Sequence, residues 1–149
     1  MTIPALRRRM GVPDRGALSL EAMILFPVLI LVLLLVVAFG RIQASGNAVD
    51  TAARNAARAA SLERDAGAAR TAGTDDARAG LRDQGLSCTA VSVDITTDGF
   101  DAPLGTAATT TATVSCTVRL SDIGMPGMPG SKTLTSSFTS SIDSYRQRD

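Results

Sequence analysis

Apolar residues follow three successive patterns along this chain. The first is continuous: the 19 residues from Ala22 to Gly40 carry no charge. As a helix they rise about 28 Å, enough to cross a hydrocarbon core of roughly 30 Å. Glu21 stands at the edge of this span, and an acid in that position is costly enough to suggest a function. The second pattern has a period near four. Ala48, Ala52, Ala56 and Ala60, with Ala53 and Ala57 beside them, predict a helix over about 41–64 with a small-residue stripe. That stripe could rest on the chain's own domain or on neighbouring subunits. Asp50 and Arg54 form an i,i+4 pair on the same helix, and Arg54 and Arg58 share its polar face. Gly67 and Gly73 weaken helix, so the second helix is expected at about 75–84, with Thr74-Asp75-Asp76 as N-cap and Gly85 just past its end.

After Cys88 the period falls to two. Val91, Val93 and Ile95 alternate with Ser92, Asp94 and Thr96, and predict a strand over about 89–97. Thr97-Asp98-Gly99 marks a turn. A longer strand, about 107–120, places Ala112, Val114, Cys116, Val118 and Leu120 on one face. The run Gly124-Met125-Pro126-Gly127-Met128-Pro129-Gly130 is a loop whose methionines cover a thin core or meet a partner. A third strand, about 133–142, uses Leu134, Phe138 and Ile142. Three antiparallel strands with one apolar face need a cover, and the Ala-rich helix is expected to supply it. The fold class is therefore α+β: a long N-terminal helix continuing into an Ala-rich helix packed on a small antiparallel meander.

Charge adds a direction. Residues 1–16 carry four arginines against Asp14, a net +3, whereas residues 41–149 sum to −1. The positive-inside rule favours a cytoplasmic N-terminus and an extracytoplasmic C-terminal domain. Cys88 and Cys116 fall on the exported side, where they can form a disulfide; as two small buried hydrophobes they would never meet. A net charge of +1 makes no case for nucleic acid.

The basic start and apolar run fit three kinds of segment. A cleaved secretory signal would have a shorter apolar region, and only Ala44 and Gly46 around Ser45 offer a small-x-small cut. An uncleaved signal anchor accounts for the length and the arginines and leaves Glu21 without a role. A pilin-type leader accounts for Glu21 as well, because Gly16 precedes it by five positions. Arg15-Gly16, Glu21, Pro27, the Leu/Val run 28–37, Phe39-Gly40-Arg41 and the Ala-Arg helix 47–60 together resemble the N-terminus of the TadE-like family, minor pilin or pseudopilin proteins of tight-adherence (Flp-type) pilus systems. Ala38 departs from the acidic or aromatic residue often found near the exit, and many members lack cysteines.

The resemblance implies a basic leader 1–16, a transmembrane helix 17–40 and an extracytoplasmic domain 41–149. It implies cleavage between Gly16 and Ala17 by a prepilin peptidase. In a bundle, the Glu21 carboxylate could then neutralise the freed ammonium of a neighbour's Ala17. Pro27 would bend the helix for packing or extraction from the bilayer. The implied partners are the peptidase, other pilin-like subunits and the inner-membrane assembly platform. The alternative is a signal-anchored exported protein whose outer domain binds a surface or envelope ligand.

Catalytic equipment is sparse. The chain has no histidine, its Gly-rich run places prolines where phosphate-binding amides would be needed, and the cysteine spacing is not a metal or redox motif. No enzyme activity, cofactor, metal or small-molecule substrate is expected.

Overall fold

The computed structural model describes residues 15–123, 127 and 129–145, with the backbone course alone for 15–20. Most of the basic leader, and Met125 and Met128 of the Gly-Met-Pro run, lie outside the described residues. The chain divides into two units, Met1–Val36 and Val37–Asp149. Helix α1 (Arg15–Leu62) contributes to both, and Pro27 lies inside it without ending it.

The second unit holds the remainder of α1, then α2 (Ala66–Asp83), β1 (Cys88–Ile95), a 3-10 turn (Asp98–Phe100), β2 (Ala108–Arg119), the short α3 (Leu120–Ile123) and β3 (Ser131–Ile142). The strands form one antiparallel sheet in the order β1-β2-β3. The fold is α+β, with two long helices, the short α3 and a three-stranded meander among the described residues.

The second helix starts at Ala66 rather than Asp75, so Gly67 and Gly73 lie within it. Asp65 is its N-cap: the carboxylate accepts the amides of Gly67 and Ala68, both at 2.8 Å. A glycine in a helix costs about 1 kcal/mol relative to alanine, yet at Gly73 the small residue permits close packing. A Cβ there would stand 3.0 Å from both the Ala56 carbonyl oxygen and Ile95 Cδ1. Gly80 faces Ala52, and the Gln84 amide donates to the Ala48 carbonyl at 3.4 Å, which sets α2 antiparallel to α1. At the C-terminal end Gly85 takes φ +69°, while the Gly85 amide donates to Arg82 and the Leu86 amide to Leu81. This pair of bonds is a Schellman stop, which only a residue tolerant of positive φ completes without strain.

The Ala stripe is used up inside the unit. Ala48 is buried, and Ala52, Ala53, Ala56, Ala57 and Ala60 are buried in one core with Ala69, Ala77 and Leu81 of α2 and with Ala112, Val114, Cys116 and Val118 of β2. Of the two roles open to it, the stripe takes the one within its own domain. The sheet is covered by α2 as well as by the Ala-rich helix. Thr110, buried in the same layer, satisfies its hydroxyl by donating to the Thr96 carbonyl at 2.7 Å.

The opposite face of the sheet is lined by hydroxyls that pair across strands: Thr111 with Thr139, Ser115 with Thr135, and Thr117 with Thr133, at 2.8–2.9 Å. On the covered side β3 is tied to α1. The Ser136 hydroxyl donates to Asp50 Oδ1 at 2.9 Å, the Ser140 hydroxyl to Ser61 Oγ at 3.0 Å, and the Arg54 guanidinium lies 5.3 Å from the Phe138 ring centroid. The Ser136 hydroxyl first, and then Arg54, hold the Asp50 carboxyl below the usual carboxylate range. A lowered folded pKa stabilises the unit above about pH 4, and that contribution is lost as pH falls through the folded value. Ser136→Ala is therefore expected to lower the unfolding temperature at pH 7. The difference from the parent should close on acidification, as read by circular-dichroism melts across pH. A gap that persists unchanged in acid would show that Ser136 acts through packing alone.

Candidate functional site

In the first unit, helix α1 presents its apolar residues outward in every direction. From Met23 to Val36 the large hydrophobic side chains are between 45% (Ile30) and 75% (Met23) exposed. The span is long and apolar enough to cross a membrane, and none of its most apolar window is buried by the chain itself. A continuous apolar surface of this kind is covered by lipid, by other protein or by both. Such a helix satisfies its own backbone hydrogen bonds, as a segment in hydrocarbon must. Pro27 is the local exception. It lacks an amide hydrogen, so the Met23 carbonyl is left without its i+4 donor, a defect that neighbouring groups must satisfy.

Gly16 and Ala17 fall in the first turn of α1. Ala17 and Glu21 are four residues apart, so their positions share one face of the helix about 6 Å apart along its axis. Glu21 is exposed at the start of the apolar surface. Because α1 begins at Arg15, Glu21 lies beyond the first turn of the uncut helix. There the dipole contributes little to holding a carboxylate. A chain beginning at Ala17 would bring Glu21 nearer to the helix start.

This arrangement joins a glycine, a small residue, an acid one turn on and an uncovered apolar helix. Residues 16–58 match the family model described as TadE-like protein. The TadE-like match begins at Gly16 and ends at Arg58, taking in the apolar span and most of the Ala-Arg stretch of α1. Helix α2 and the whole sheet lie outside it. No curated protein and no solved structure matches the chain.

The cysteines are joined. Cys88 and Cys116 form a disulfide with their Cα atoms 5.4 Å apart. A bulge in β1 makes the bond accessible. Cys88 pairs with Val118 and Ala90 with Thr117, so Thr89 is an extra residue. That extra residue turns Cys88 to the face shared by Val91, Val93 and Cys116. The disulfide staples β1 to β2 and is remote in sequence from the TadE-like segment.

Sequence reasoning did not foresee the Asp50–Ser136 and Ser61–Ser140 links, which depend on β3 crossing α1. It also gave no role to Arg78 and Arg82. Their i,i+4 spacing was visible, but the groove they border needs the end of α2 and the start of β1 side by side. Among the described residues, no cluster of three or more His, Cys, Asp or Glu could hold a metal ion.

Proposed function

We propose that this chain is a TadE-like pilin-type subunit that takes part in assembling a tight-adherence pilus. The observation that carries the reading is the uncovered apolar helix with Glu21 one turn after Ala17. It is supported by a family match whose first residue is Gly16. The helix spans the membrane once, with its N-terminus cytoplasmic and the α+β unit outside. A prepilin peptidase cuts after Gly16 and leaves Ala17 with a free ammonium. Glu21 of one subunit pairs with Ala17 of the next, so each charge is carried into an apolar bundle with its partner. Pro27 gives the helix a bend for packing or for leaving the bilayer. The subunit acts in a minor or assembly role through contacts with other pilin-like chains and the inner-membrane platform, and catalyses no reaction.

The test is the N-terminus of the mature chain. In cells with an active prepilin peptidase, Edman sequencing or intact mass of the membrane-extracted protein should give a chain starting at Ala17. Gly16→Leu should leave the leader attached. A leader that stays intact in the parent protein would replace this reading with a signal-anchored exported domain.

A further inference from the structure

Two exposed features of the second unit, at opposite ends of β1, complement each other in charge and in apolar content. The first is a groove between the end of α2 and the start of β1, with a volume of about 460 Å³. Its floor is apolar, formed by Leu81, Leu86, Cys88 and Val91, and Arg78 and Arg82 stand on its rim one helical turn apart. Both arginines are exposed, and neither has a carboxylate partner among the described residues. The second feature is the loop that follows β1. Phe100 is buried, and Gly99 packs so closely that a Cβ there would overlap the Thr109 carbonyl oxygen. These two anchors fix the loop while Asp98, Asp101 and Leu104 remain outward, Leu104 at 64% exposure. Neither carboxylate has a cationic partner among the described residues, and Arg70 at this end is engaged with the Thr97 hydroxyl at 2.6 Å.

We infer that the groove receives the Asp98–Leu104 loop of a second copy of this chain. Leu104 would enter the apolar floor while Asp98 and Asp101 meet Arg78 and Arg82. Eight residues of strand separate the two features by about 26 Å, so one chain cannot fill its own groove. The contact is heterologous: one end of each copy meets the other end of the next, and such contacts extend open-ended unless rotation closes them. A fixed loop suits this use because little ordering is needed on docking. The inference deepens the assembly reading by naming a subunit surface outside the membrane helix.

The test uses the full-length chain, leader intact, purified in detergent, with Leu104 replaced by a photo-crosslinking phenylalanine. Irradiation should give a dimer whose linked peptide lies within residues 78–91 of the other copy. Arg78→Glu with Arg82→Glu, or Asp98→Arg with Asp101→Arg, should each cut the dimer yield about tenfold at low salt. Mixing the two reversed chains, with the probe on the loop-reversed one, should restore it. Circular-dichroism melts check folding, and Arg78→Gln with Arg82→Gln replaces any glutamate variant that fails to fold. A crosslink that lands elsewhere, goes to detergent or another protein, or ignores both reversals would overturn the inference. Because the measurement is made on uncleaved protein, failure here leaves the Ala17 cleavage result to stand or fall separately.

Discussion

Glu21→Ala is expected to leave the chain inserted and folded while abolishing its assembly. An acid at the centre of a membrane helix costs roughly 2.5–3.5 kcal/mol on insertion scales. Glu21 lies at the edge of the span, so its removal should improve insertion by less than that. The core of the second unit is built from Val49 onward, and its unfolding should be unaffected. In the proposed assembly, what the variant lacks is the charge that would meet a neighbour's Ala17 ammonium in an apolar bundle. Leaving that ammonium unpaired is far worse than losing an exposed ion pair, because no water replaces the partner. Glu21→Gln keeps the size and removes the charge, so it should fail in the same way. Membrane fractionation, protease accessibility and pilus counts by electron microscopy separate the steps. Normal piliation by both variants would remove the pairing role from Glu21 and leave the apolar surface as the assembly determinant.

The parts of this molecule that were legible in the sequence are those whose physics is local. The apolar span, the acid at its edge and the glycine before it lie within 25 residues of one helix. The Ala stripe and the period-two strands also announce themselves over short windows. Their faces follow from the pleat and the helical repeat: Ala112, Val114, Cys116 and Val118 all point to the core. The start of α2 was not legible. Gly73 reads as a helix breaker until the Ala56 carbonyl and Ile95, far off in sequence, are seen to need the space a side chain would fill. The face of Cys88 was hidden for a similar reason, since the extra residue at Thr89 reverses the alternation. The arginine groove and the acidic loop belong to the same class, because each takes its meaning from a surface assembled by several elements.

Removing the disulfide with Cys88→Ala and Cys116→Ala should cost the second unit about 3–4 kcal/mol, from the chain entropy released by opening a loop of this length. The sequence separation is 28 residues, and the bond joins the two neighbouring strands that carry most of the apolar face. Whole domains are stable by only about 5–15 kcal/mol, so a loss of that size is a large share. This unit has less than most to offset it. Its buried helix residues are mainly alanines, which bring little apolar area each, and the largest fully buried side chains are valines, a threonine and Cys116. Denaturant unfolding of the full chain in detergent, read by far-UV dichroism, should show the midpoint fall. Reductant should shift the parent toward the variant and leave the variant unchanged. Alkylation should add two labels to the parent only after reduction. A loss below about 1 kcal/mol would mean that the close helix pairing through Gly73 and Ala56, rather than the staple, holds the thin core together.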